Sequence, residues 1–223
     1  MERFYCINRC TGIAKRERHL MKIQAICRAD AQTLPGKTSK TGIFKHALSG
    51  PVMVDAQGIV GDAVCNRKHH GGPDQAIYAM GSGDLDFWAN DLGQAVEPGF
   101  FGENLVIEGI DSATLCVGDR LSLQQVTLEV TAARIPCATL TARVGDPQFA
   151  RRFRDAGHPG FYCRVLQSGM MEAGESVTFT HYNGTKLPIP VILQRFRPNR
   201  LTQEERAAFL DTPLASRFRE MIA

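Results

Sequence analysis

The chain has no Cys-x-x-Cys pair among its seven cysteines, at positions 6, 10, 27, 65, 116, 137 and 163. That absence argues against a structural zinc site and an iron–sulfur cluster, and the odd count leads us to expect reduced thiols in a cytoplasmic protein. There is no apolar run approaching the ~18 residues a membrane span requires, because Pro188 and Pro190 interrupt the most apolar late segment. Long basic tracts are missing too. With 26 Lys and Arg against 23 Asp and Glu, the net charge of +3 is too small to suggest a nucleic-acid partner, and Lys15-Arg16-Glu17-Arg18 is the only dense basic run. Several nucleotide and hydrolase signatures are incomplete. Gly36-Lys37-Thr38 imitates the end of a P-loop, but Ala31 stands where the leading glycine belongs. Gly81-Ser82-Gly83 lacks the third glycine of a dinucleotide fingerprint, Asp86 taking its place. No serine-hydrolase elbow occurs.

What is present is an ordinary globular composition, 43% apolar and 22% charged over 223 residues, which suits one main core with a small appendage. The first twenty residues carry five Lys or Arg against two Glu and no secretory hydrophobic centre. They read as a loose tail or an overlong start-site assignment. From 21 to 185 the dominant signal is short alternating runs between glycine turns. Leu121 and Leu123, then Val126, Leu128 and Val130, alternate with polar residues, and the phase slips at Gln124-Gln125 as a bulge or tight turn requires. Two helices are inserted. In the first, Leu85, Trp88, Ala89 and Leu92 share a face between Ser82 and Gly93. The second follows Asp146-Pro147, with Phe149 and Phe153 four apart. Beyond Pro188-Ile189-Pro190 the period becomes helical over 186–223, with a capping box at Thr202 to Glu205 and an apolar stripe of Leu214, Phe218, Met221 and Ile222. The expected architecture is mainly β: a closed or nearly closed barrel with inserted helices and a short C-terminal helical appendage.

Three separated motifs carry the chemistry. In Arg134-Ile135-Pro136-Cys137, Pro136 stiffens the backbone and Arg134 favours a thiolate if both side chains face one cavity; the plain alternative is a buried structural cysteine. In His69-His70-Gly71-Gly72-Pro73-Asp74-Gln75, the glycines form a turn with exposed amides, a plausible phosphate nest, unless His70 merely caps a turn. Asp74 and Gln75 either orient that loop or contact a ligand edge. In Phe101-Gly102-Glu103-Asn104-Leu105, Glu103 and Asn104 either hydrogen-bond a ligand or form a buried structural network. Lys45, in Thr41-Gly42-Ile43-Phe44-Lys45, reads by itself as an ordinary exposed lysine.

The order Gly61-Asp62, His70-Gly71-Gly72-Pro73-Asp74, Phe101-Gly102-Glu103-Asn104-Leu105, Gly118-Asp119 and Pro136-Cys137 resembles the MOSC domain, the C-terminal module of molybdenum cofactor sulfurases, in its stand-alone YiiM-like branch. The resemblance runs from about Met21 to about Tyr182. It implies a β-barrel fold and, in the tail, a short version of a three-helix extension. It further implies a bound molybdenum cofactor (molybdopterin), with Cys137 binding the metal or carrying sulfur and His70, rather than His69, beside it. Lys45, Gly71, Gly72, Asp74, Glu103, Asn104 and Arg134 would be cofactor-binding. The implied reaction is reduction of a small N-hydroxylated substrate such as hydroxylaminopurine, with electrons from a separate reductase; a homodimer is compatible with it. Pyridoxal phosphate belongs to another domain of the full sulfurases and is not expected to bind here. The competing readings are a non-catalytic carrier of sulfur or molybdenum cofactor, loaded as a Cys137 persulfide by a sulfur donor, and a module that binds a different anion.

Overall fold

The alternating run from Leu121 to Val130 folds as a hairpin. Strands β9 (Arg120–Ser122) and β10 (Thr127–Ala133) pair antiparallel, and the Leu123 amide donates to the Val126 carbonyl across the Gln124-Gln125 turn at 2.8 Å. In this computed structural model residues 21–34, 38–66 and 70–222 are described. The expected N-terminal tail, His69 and the Gly36-Lys37 part of the P-loop imitation lie outside them.

The remaining strands in chain order are β1 (Lys22–Arg28), β2 (Gln32–Thr33), β3 (Lys40–Thr41), β4 (His46–Ala47), β5 (Val52–Asp55), β6 (Gly58–Ile59), β7 (Ile77–Gly81), β8 (Leu105–Glu108), β11 (Phe161–Gln167), β12 (Gly169–Met171) and β13 (Thr178–Thr180). The principal sheet has eight strands in the order β13-β9-β10-β11-β7-β8-β1-β4; β12-β5-β6 and β2-β3 form two smaller sheets. Helix α1 (Ser82–Leu92) crosses between β7 and β8, which makes that pair parallel in an otherwise antiparallel sheet.

These sheets are open, and the expected barrel is corrected. At the ends of the principal sheet β13 and β4 have no ladder between them; an isolated bridge, Lys22 with Ser176, and the backbone hydrogen bonds of Met21 and Ile23 around it tie the start of β1 to the segment before β13 without forming a strand pair. Alternation in sequence shows that a strand has a buried face, but says nothing about how the outermost strands meet. It misleads on β10 as well, where Glu129 and Thr131 are buried along with Leu128 and Val130. The C-terminal segment covers that face: Ala215 donates its amide to the Thr131 carbonyl, and Glu129 pairs with Arg120 and Arg164. The architecture is a mixed β-sheet and helix fold.

Helices α2 (Ala138–Val144) and α3 (Phe149–Ala156) follow β10, and α4 (Ile189–Arg195), α5 (Gln203–Leu210) and α6 (Ser216–Ile222) close the chain. None is long and apolar enough to cross a membrane. The aromatic spacing packs α1 on α3: Trp88 stacks on Phe153 at 5.1 Å and meets Phe149 at the same distance, with Phe101 beneath. Gly93 ends α1 in a left-handed conformation, as its sequence position predicts, and the Thr202–Glu205 capping box is formed. Of the predicted tail stripe, Leu214, Phe218 and Ile222 are buried, while Met221 faces solvent. Ile189, Ile192 and Phe218 belong to the same apolar cluster as the sheet residues Val130 and Phe161.

Four cysteines of the described residues, Cys27, Cys65, Cys137 and Cys163, are free thiols. Cys116 is not one of them, which departs from the expectation of reduced thiols throughout.

Near the start of α1, His158 Nδ1 lies 2.9 Å from the buried Asp84 and 3.6 Å from Asp111, with its ring stacked on Phe87. The Asp84 hydrogen bond raises the His158 pKa, against partial burial. A raised folded-state pKa gives stability that is complete below the unfolded value near 6.5 and is lost as pH rises through the folded one. Urea midpoints measured from pH 6 to 9 should therefore fall in the wild type, and His158→Ala should flatten that decline.

Candidate functional site

Five short segments converge on one cleft of about 430 Å³. Cys137 sits immediately before α2, in extended backbone after Pro136, and this half-buried residue lines the cleft. Arg134, at the end of β10, is buried. Its Nη2 lies 4.0 Å from the Cys137 sulfur and its Nη1 donates to the Tyr162 hydroxyl at 2.7 Å, while the guanidinium lies over the Tyr78 ring at 4.9 Å. The Arg134 Nε is buried without a hydrogen-bond partner, as are the Nε atoms of Arg143, Arg152 and Arg164, so the side chain keeps one unused donor.

His70 and Gly71 enter from the turn before β7. Gly71 has φ 75°, and a Cβ there would stand 2.7 Å from the Val64 side chain, so both conformation and space require glycine. Burial, then the charges of Arg134 and Arg217, lower the His70 pKa to about 4. Its imidazole is therefore neutral at neutral pH and able to accept a hydrogen bond.

The floor is Asn104, between the Gly102 turn and β8. Its Nδ2 donates to the Cys27 carbonyl at 3.3 Å and to Asp62 Oδ2 at 2.9 Å, and its Oδ1 accepts from the Tyr78 amide. Lys45 also lines the cleft, but it is not a free cation. Its ammonium pairs with Asp62, both side chains more than nine-tenths buried. Burial lowers the Lys45 pKa, opposed by Asp62. Asp62 also accepts from the Ala29 amide at 3.0 Å, so one carboxylate gathers three donors.

Cys137, His70, Gly71, Lys45, Asn104 and Arg134 thus share one cleft. Gly72, Asp74 and Glu103 do not line it. Gly72 begins the 3-10 turn Pro73–Gln75 with φ 81°. Asp74 faces the other way, accepting from the Ser216 amide and hydroxyl at 2.7 Å and pairing with Arg164 at 2.9 Å, which ties α6 to the sheet. Its neighbour Gln75 turns inward and lines the cleft. Glu103 is fully buried. It accepts from the Gly99 amide at 2.5 Å and the Phe101 amide at 3.0 Å, holding the turn that supports the floor. Burial raises its pKa to about 7 against those hydrogen bonds and Lys45.

Sequence reasoning did not pick out Asp62, Tyr78 and Tyr162 as site residues, and only Asp62 left a signal, as part of the Gly61-Asp62 motif. Cys65, which sequence reasoning also passed over, lines the cleft and is exposed. The other two free thiols are excluded by environment. Burial pushes Cys27 up to about 12 and raises Cys163 as well, which leaves both protonated and unreactive.

A cleft with a thiol, a neutral imidazole, a buried guanidinium with a spare donor and a glycine turn suits an anionic ligand bearing a thiophilic metal. The uncharacterized protein YflK of Bacillus subtilis strain 168 is 29% identical over 163 residues, covering 73% of this chain and 74% of that protein. A protein named reductase from Gibberella moniliformis is 31% identical over 144 residues, covering 62% of this chain but only 25% of that longer protein. The crystal structure of YiiM from Geobacillus stearothermophilus superposes with a TM-score of 0.75 at 26% identity, covering 91% of this chain and all of that one. The MOSC domain model matches residues 66–178, half of the chain, and the chain therefore belongs to the MOSC domain family.

Proposed function

We propose that this chain holds a molybdenum cofactor in the cleft beside Cys137 and serves as the terminal component of a reductase acting on N-hydroxylated compounds such as hydroxylaminopurine. The observation that carries the reading is the Cys137 sulfur facing the same cleft as Arg134, His70 and Gly71, with the Arg134 Nε unpartnered. Membership of a family associated with molybdenum cofactor, and similarity to a protein named reductase, support it.

The residues present fit such a group. Cys137 offers a soft sulfur donor, Arg134 a fixed cation and a spare N–H, and the Gly71 turn close backbone approach for a phosphate. When bound, the cofactor supplies the two-electron redox chemistry. Reducing an N–OH to an N–H consumes two electrons and two protons and releases water. In this reading His70, held neutral, offers a ring nitrogen to hydrogen-bond the bound group. Tyr162 and Tyr78 hold Arg134 in place. The electrons come from a separate reductase.

Anaerobic loading tests this. Purified wild type incubated with molybdenum cofactor and desalted should retain molybdenum and pterin, and Cys137→Ala should retain less than a tenth as much. Equal retention by both proteins would overturn the ligand role of Cys137. Retention by neither, with a persulfide mass on Cys137, would assign the chain as a sulfur carrier instead.

A further inference from the structure

Gln75 is more than nine-tenths buried, at 8% exposure, yet its carboxamide hydrogen-bonds to no described residue. The backbone that carries it is firmly held. The Gln75 amide donates to the Gly72 carbonyl at 2.9 Å, the Asp74 carbonyl accepts from the Thr131 hydroxyl at 2.6 Å, and the Asp74 carboxylate is bound by Ser216 and Arg164. The turn is pinned while the side chain projecting from it is left without a partner. Gln75 lines the cleft described above and also a second one of about 470 Å³, between the segment before α2 and helices α4 and α6. His70, Cys137 and Tyr162 line both as well, so these four residues form a common wall.

A buried carboxamide without a partner costs free energy, and native structures satisfy such groups with protein, water or ligand. Among the described residues, the side-chain atoms sealed from solvent and unpaired are four arginine Nε atoms, none of them in Gln75. Its carboxamide is therefore reached from the clefts. A loop-shaping role would look different. Glu103, which does hold its loop, accepts from two of that loop's own amides, whereas the Gln75 side chain makes no such bond. A carboxamide presents an acceptor and donors in one plane. That is the pairing by which glutamine reads a ring nitrogen beside an exocyclic amino group, as on adenine. Pro136, Leu193, Phe196 and Phe218 give the second cleft apolar walls against which a flat ring can lie.

We propose that Gln75 is a specificity-determining residue whose carboxamide pairs with the edge of a planar heterocycle where a ring nitrogen stands beside an exocyclic N–H. Its place on the wall that holds Cys137 decides which compounds present their N–O bond there. An N-hydroxylated base carries a ring nitrogen next to its exocyclic nitrogen and satisfies both halves of the amide. An N-arylhydroxylamine has no ring nitrogen and leaves one half unpaired. The identification of the heterocycle as the substrate rests on the reductase reading; the edge pairing itself does not.

Binding of two neutral probes to the cofactor-free chain tests the proposal without turnover. Adenine and 6-methylpurine share ring and size and differ in the exocyclic N–H. In calorimetry the wild type should bind adenine at least roughly ten-fold more tightly. Gln75→Leu should abolish that preference, and so should Gln75→Glu, because a carboxylate cannot donate to the ring nitrogen. Since the carboxamide has no partner within the chain, the urea midpoint of Gln75→Leu should match or exceed that of the wild type. No binding of adenine, equal affinity for the two probes in the wild type, or a preference that survives in Gln75→Leu would overturn the proposal. In the last case a lower urea midpoint would make the amide structural, and reduced pterin retention would give it to the cofactor instead. Molybdenum retention by the wild type and Cys137→Ala is read separately, so failure of the cofactor reading and failure of this one are distinguishable.

Discussion

Asp62→Ala should destabilise the protein by about 3–5 kcal/mol, the range found when one partner of a buried ion pair is removed and the other stays charged. The Lys45 ammonium would then sit almost fully buried without its anion, and the Ala29 amide and Asn104 Nδ2 would each lose an acceptor. The specific expectation is non-additive. Adding Lys45→Met removes the stranded charge, so the double variant should be more stable than Asp62→Ala alone, with urea unfolding midpoints giving the coupling. If the two losses simply add, the pair is not the element that holds the cleft wall. Asn104 relies on the same carboxylate, so the loss should also reach the floor of the site.

Glu103→Ala should cost a comparable amount, about 3–5 kcal/mol, from two unsatisfied buried amides plus the cavity left behind. Its pH dependence distinguishes it from an ordinary core truncation. Because the folded state raises the Glu103 pKa to about 7, its contribution is complete below the unfolded value near 4.5 and is lost as pH rises through 7. The deficit of Glu103→Ala relative to wild type should therefore be largest near pH 5 and shrink by pH 8. His70 acts in the opposite sense in the wild type: with its pKa lowered to about 4, its contribution is lost as pH falls from 6.5 towards 4. Comparing wild type and variant at each pH cancels that common background. A deficit independent of pH would show that the carboxyl group does not change protonation on folding over this range.

The legibility of the site in sequence varied with the range of the interactions that build it. Pro136 before Cys137, the glycine pair after His70 and the Gly102-Glu103 turn are local devices: the first leads through extended backbone at Cys137 into α2, and the other two form turns. Asp62 shows the limit. Its three donors lie 17, 33 and 42 residues away, so nothing adjacent to it announces its role. Asp74 and Gln75 show another: adjacent residues in one 3-10 turn point to opposite sides, one to α6 and one into the cleft. The openness of the sheets was hidden for the same reason, since period-two patterning records a strand's faces and not its neighbours. It was the order of several motifs, by resemblance, that connected Cys137 to a cofactor; the local residues alone favoured a buried structural cysteine.

The pairing of β1 with β8 has a kinetic consequence. Asn104 reaches across 77 positions to the Cys27 carbonyl, and it can do so only once the first strand has docked beside a strand from the middle of the chain. Closing so long a loop is entropically expensive, and contacts of this separation slow folding. The hairpin of β9 and β10 needs no such search. The cleft floor therefore belongs to the late-forming part of the molecule, and a chain still emerging during synthesis has no complete cleft until β1 has found its place.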